Sequence, residues 1–175
     1  MRPLTTSSRL SPALVALAVC SVGAGVASGP AIRATRTGAA VHPAAGTAAW
    51  WPHLVLTGVA VVLLLAARRR RTRTTLRRAP LLLTPVGGCA AARIRRTLRS
   101  APGRALLAVP PTLLLLFCGW RAGVQVLAGL DPDFTADAWG GPSYLGAMYC
   151  HYLDAGLLCA GAALLLDRIL VDRVP

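Results

Sequence analysis

The sequence predicts an all-α polytopic membrane protein, with three spanning helices and an N-terminal segment that reads as either a fourth spanning helix or a signal peptide. Two observations carry this. Hydrophobic residues make up 55% of the 175 and come in long uninterrupted blocks, not in the scattered periodic pattern of a soluble core. Charge is sorted between the blocks. All 19 basic residues are arginine, and 12 of them lie between Arg68 and Arg104, a stretch with no Asp or Glu. Three aspartates gather instead in residues 131–142. A net charge of +13 and a pI near 11.4 also suit nucleic acid. Arginines packed between apolar runs, however, are the signature of a cytoplasmic loop, and that reading is preferred.

Residues 1–28 open with Arg2 and Arg9, followed by the apolar run "PALVALAVCSVGAGVAS" and small residues near Gly25. A signal peptide and a short spanning helix fit this segment equally. Residues 29–49, rich in Gly, Pro, Ala and Thr without periodicity, read as an exposed linker. Residues 50–67, "WWPHLVLTGVAVVLLLAA", form a spanning helix with two tryptophans at its edge, where an aromatic belt sits.

The Arg-rich stretch 68–104 is assigned to the cytoplasmic side. Within it, "CAAARIRRTLR" places Ala90, Ile94 and Leu98 at four-residue spacing, opposite Arg93, Arg96 and Arg99. Such a pattern fits a short helix lying on the membrane or a basic loop without order. The membrane-surface basic set is therefore Arg68, Arg69, Arg70, Arg71, Arg93, Arg96 and Arg99, with anionic lipid headgroups as their partner.

Residues 105–130 form the next span, which either starts or kinks at Pro110-Pro111. The external acidic loop 131–142 and a last span, 143–166, follow, and residues 167–175 form a cytoplasmic tail. Within 131–142, Asp131, Asp133 and Asp137 either collect a hard cation or simply reflect the side of the membrane. "WGGP" (139–142) reads as a tight turn with its Trp at the interface.

Ionisable residues inside the last two spans carry the functional question. A charge at the bilayer centre costs at least about 2.5–3.5 kcal/mol, so Arg121, His151 and Asp154 must face protein or a wet cavity. Cys118, Arg121 and Gln125 share one helix face, and Tyr144, His151 and Asp154 share another. Equal steps from the connecting loop put Arg121 level with Tyr152, so an Arg121–Asp154 pair with His151 alongside is expected. Cys118, Gln125 and Tyr144 would add polar lining. Gly119 and Gly123 form a GxxxG on nearly the opposite side from Arg121, offering a close-packing face. The five cysteines show neither disulfide nor zinc spacing, and adjacent Cys150 and His151 point to different helix faces. No metal or cofactor is expected, and no nucleotide-binding, HExxH, CxxC or catalytic-triad pattern occurs.

The segment "RAGVQVLAGLDPDFTADAWGGPSYLGAMYCHYLD" resembles one found in small integral membrane proteins of high-GC actinobacteria. That resemblance implies a membrane location and brings no activity, substrate or catalytic residue with it. The leading functional expectation is a non-enzymatic accessory or interaction component that docks on another membrane protein. The alternative is a helix bundle handling protons, ions or a small ligand through Arg121, His151 and Asp154. Enzymatic use of a lipid-borne substrate, with His151 as base, ranks third.

Overall fold

Four long helices dominate the structure, a computed structural model that describes residues 10–35, 46–73, 81 and 85–171, side chains 67–73 excepted. They are α1 (Pro12–Ala34), α2 (Trp50–Arg73), α4 (Pro102–Ala128) and α6 (Tyr144–Ile169), of 23, 24, 27 and 26 residues. Each contains a stretch long and apolar enough to cross a membrane, so the chain is an all-α polytopic protein. A short helix α3 (Gly88–Ser100), a one-turn α5 (Pro132–Thr135) and a 3-10 turn at Thr47–Ala49 complete the described elements.

Several sequence boundaries need correction. The linker expected over residues 29–49 is helical as far as Ala34, since α1 continues through Gly29 and Pro30. Packing overrides composition there, because Gly29 lies against the Leu127 side chain of α4. The helix expected over 50–67 runs on into the arginines to Arg73, which are good helix formers. The span expected from 105 begins at Pro102, where a proline at the first helical position loses no hydrogen bond. The helix passes through Pro110-Pro111 instead of starting there. The last helix runs to Ile169 and not 166, and the 131–142 loop contains α5.

Chain direction gives the molecule an acidic end, at residues 131–142, and a basic end, at α3. Helix α1 packs on α4, α4 on α6, and α2 on α6. Apolar surface drives little association between helices in lipid, so close approach and polar contacts must hold these seams. The α1–α4 seam uses close approach. A Cβ built at Gly123 would collide with the Val22 carbonyl, and one at Gly25 with the Trp120 carbonyl. Ser21 adds a hydrogen bond from its hydroxyl to the Leu116 carbonyl at 2.6 Å. Gly123 of the α4 GxxxG thus meets Gly25 of α1, while Gly119 faces Ser21 and Gly29 faces Leu127.

At the basic end, α3 closes the bundle over a cluster of Leu81, Ala90, Ala108, Leu166 and Leu170. Its inward face is Ala90, Arg93 and Thr97, with Ile94 partly buried against the same cluster. The membrane-surface role read for Arg93 is therefore corrected: its side chain is buried, pairs with Asp167, and donates to the carbonyls of Asp167 (2.7 Å) and Leu170 (3.1 Å). These are the carbonyls that a helix C-terminus leaves unsatisfied, so Arg93 caps α6. Leu98, expected on the apolar stripe, is 63% exposed. Arg99 is exposed and Arg96 half-buried, whereas the side chains of Arg68, Arg69, Arg70 and Arg71 lie outside the described residues.

Candidate functional site

At the acidic end, the 131–142 segment folds back over the mouth between α4 and α6. Asp131 caps α5 by accepting from the backbone N–H of Asp133 at 3.1 Å, and Ser143 caps α6 by accepting from Gly146 at 3.2 Å. Buried Thr135 ties the segment down by donating to the Pro142 carbonyl at 3.0 Å. Gly140 has a φ of +98° and its N–H donates to the Gly46 carbonyl, 3.1 Å away, just before α2. A side chain at 140 would be strained and would also strike the Gly146 carbonyl. The reading of "WGGP" as a tight turn misses this second role of fastening the start of α2 to the loop.

Beneath the loop lies a cavity of about 540 Å³ between α4 and α6. Its polar walls are Arg121 and Gln125 of α4, His151 and Asp154 of α6, and Asp133 and Asp137 of the loop. Arg121 Nη2 lies 2.9 Å from His151 Nε2 and donates to it, since a guanidinium has no acceptor. The Arg121 guanidinium also stacks 5.4 Å from the centre of the Phe134 ring. One level along the same register, the Tyr152 hydroxyl reaches the Ala122 carbonyl at 3.4 Å.

Asp154 is met by a residue outside the expected cluster. His53 of α2 presents its Nε2 to Asp154 Oδ2 at 3.2 Å, in place of the Arg121–Asp154 contact expected from the hairpin alone. His53 is buried, with its Nδ1 2.7 Å from the Ala49 carbonyl and its ring edge-on to Trp139 at 5.9 Å. A carbonyl can only accept, so Nδ1 carries a proton. The contact between Nε2 and the carboxylate then needs one further proton, held on either atom. The pair therefore shares a proton in every bonded state. The two imidazoles play different parts: His151 Nε2 accepts from Arg121, whereas His53 Nε2 shares that proton with Asp154.

The α2–α6 seam continues as Trp50 stacked on Tyr149 (5.4 Å) and a hydrogen bond between Thr57 and the Tyr149 hydroxyl. His53, Tyr149 and Thr57 escaped the sequence reading because His53 stands alone in an apolar run. Its spacing from Trp50 and Thr57, three and four residues, was the available signal.

Of the additional lining expected, Cys118 and Gln125 border the cavity. Tyr144 does not; it packs beside Gly129, where the hairpin closes, so the shared face overstated its reach. Gln125 is 1% exposed, and neither its amide oxygen nor its amide nitrogen has a protein partner. Among the described residues no group of three His, Cys, Asp or Glu is placed to hold a metal ion. No family model, curated protein or solved structure matches this chain.

Energetic coupling should follow the observed partners. His53→Leu and Asp154→Leu are each expected to lower thermal stability, with the double variant losing about 1–2 kcal/mol less than the sum. The Arg121→Leu and Asp154→Leu cycle should show the smaller coupling. Melting of purified variants in one detergent measures both, and equal couplings would contradict the pairing.

Proposed function

We propose that this protein is a multi-pass cell-membrane protein that binds a small polar ligand in the cavity between α4 and α6, the loop 131–142 lying outside the cell and the C-terminus in the cytoplasm. The cavity carries the reading: polar groups in lipid normally close on one another, yet here they border about 540 Å³ of space, within the range of small-molecule sites. Arg121, His151 and Asp154, with His53 behind them, form its polar wall. Sidedness rests on the arginine asymmetry between the two ends. Arg95 and Arg99 of α3 are exposed at the basic end, where they would meet anionic headgroups. Binding in this scheme involves no covalent chemistry, so the protein is read as a receptor or accessory subunit and not as an enzyme.

Docking on another membrane protein is a second reading, favoured by α2. Below its polar first turns, α2 leaves Val55, Val62 and Leu63 exposed at 63–64%, a surface that either lipid or a partner helix would cover.

Thiol labelling tests cavity and sidedness together. In a chain with its five cysteines replaced by alanine, Ala155→Cys would stand in the cavity wall, Leu164→Cys on an exposed apolar face, and Arg95→Cys at the basic end. A membrane-impermeant charged thiol reagent added to intact cells is expected to label only Ala155→Cys. Protection of Ala155→Cys in both intact and permeabilised cells would remove the cavity reading. Labelling of Arg95→Cys in intact cells would reverse the orientation.

A further inference from the structure

We infer that a second cavity, at the basic end, holds one acyl chain of an anionic phospholipid whose phosphate is met by Arg95 and Arg99. This site presupposes the reading above of the basic end as a surface for anionic headgroups, and adds to it a defined seat for one lipid.

A cavity of about 240 Å³ lies between α1, α3, α4 and α6. It is drawn out along the helices. On α1 it extends from Leu14 to Val22 and on α4 from Thr112 to Gly119, about 10–12 Å at the helical rise of 1.5 Å per residue. Small-molecule sites usually begin at about 300 Å³, so a single chain suits this space better than a compact ligand. Its chemistry is apolar throughout. Among the described residues no charged side chain lines it. The two polar ones, Ser21 and Thr112, donate their hydroxyls to the Leu116 and Ala108 carbonyls of α4. An occupant therefore meets no open hydrogen-bonding group, and an apolar cavity of this kind stays dry and admits hydrocarbon.

The surroundings of the cavity specify the rest of the molecule. Of its lining, Leu17, Ala18 and Val22 are exposed and belong to the spanning part of α1, so the cavity opens sideways, where lipid is the solvent. Pro85, also exposed, borders it at the basic end, just before α3. Helix α3 lends Ala90 and Ile94 to the wall, and Leu98, one turn on from Ile94, is left exposed. Arg95 and Arg99 stand next round that helix, four residues apart, both with exposed side chains. Two guanidinium groups so spaced can grip one phosphate, whose oxygens suit the planar fork of arginine. An apolar slot beside a pair of arginines matches the chain and the headgroup of an anionic phospholipid.

Photolabelling of the full chain in phosphatidylcholine vesicles tests both halves. The probes are traces of phosphatidylglycerol or phosphatidylcholine, each with a diazirine midway along one acyl chain. Phosphatidylglycerol is expected to label residues 14–22 and 112–119 at least about fivefold more than phosphatidylcholine does, the worth of one arginine near an anionic headgroup. An excess of unlabelled phosphatidylglycerol should displace that label while labelling of the exposed face of α2 persists. Ala18→Phe, which fills the cavity from an exposed position, should abolish the labelling and leave that of α2 unchanged. Ala24→Phe, exposed on α1 but outside the cavity, should alter neither. Replacing Arg95 and Arg99 together with glutamine should bring phosphatidylglycerol down to the phosphatidylcholine level. Labelling that no excess lipid displaces, spread over all four spanning helices and indifferent to Ala18→Phe, would overturn the site. It would do so even if the glutamine replacement weakened binding to anionic vesicles, as the surface reading alone requires. Equal labelling by the two probes, unmoved by the glutamine replacement, would overturn the anionic assignment and the surface reading with it.

Discussion

Gly123→Leu is expected to part α1 from α4 and leave little folded protein. Even the first carbon of a side chain at this position collides with the Val22 carbonyl, a backbone atom that cannot swing away. The two helices would have to separate along the seam where they lie closest, losing the dispersion contacts and the Ser21–Leu116 hydrogen bond that replace hydrophobic pressure in lipid. A loss of about 3 kcal/mol follows, the top of the usual range for overpacking. Gly156→Ala makes the matching control, because a Cβ there meets nothing within 4 Å. It should hold or slightly raise stability through better helix propensity. Yield of monodisperse protein and thermal unfolding in detergent compare the two. If Gly123→Leu behaved like Gly156→Ala, the close approach of α1 and α4 would be refuted.

The second large effect belongs to Arg93→Met. The side chain is 7% exposed and serves the Asp167 carboxylate and two carbonyls at the end of α6. Methionine preserves most of the packing volume and leaves the two carbonyls unmet, with a cost of about 2 kcal/mol, because the 31% exposed Asp167 carboxylate regains water. Arg99→Met, at an exposed position on the same helix, should cost less than about 0.5 kcal/mol. Were Arg93 a lipid-facing arginine, the two substitutions would weaken anionic-vesicle binding alike and leave melting unchanged. The expected pattern is the opposite: a large loss of stability at 93, and an effect at 99 confined to vesicle binding.

The fold class was legible because apolar block length and charge sorting act on every residue of a span at once. Single-helix patterns misled where the tertiary surroundings were decisive. Ala90, Ile94 and Leu98 form a convincing apolar stripe, but α3 meets α6 at a carboxylate and two open carbonyls, so Arg93 and Thr97 turn inward. Asp154 could be assigned to a polar interior from sequence, since a carboxylate facing lipid is costly. Its partner could not be named. The hairpin count brings α4 level with α6 but carries no information about α2, whose nearest link in sequence is about a hundred residues from Asp154. Gln125 was legible as lining, yet whether its amide found a partner depended on side-chain positions alone.

The two seams of the bundle differ in kind, and the difference sets an order of disassembly. The α1–α4 seam is backbone against backbone, with carbonyls lying where side chains would otherwise be. Among the described residues, the α2–α6 seam hangs on a few side chains near one end, Trp50, His53 and Thr57, with a backbone hydrogen bond from Gly140 to Gly46 just before α2. Structural units held by few contacts open at lower free energy than the rest of a protein. Drawn mechanically from a bilayer by residues 74–87, the molecule would release α2 in a first, low-force step, while α1 and α4 left together in a later one. The helix that brings His53 to the cavity is thus the one most easily removed, which makes the seat of Asp154 the hinge on which the whole assembly first comes undone.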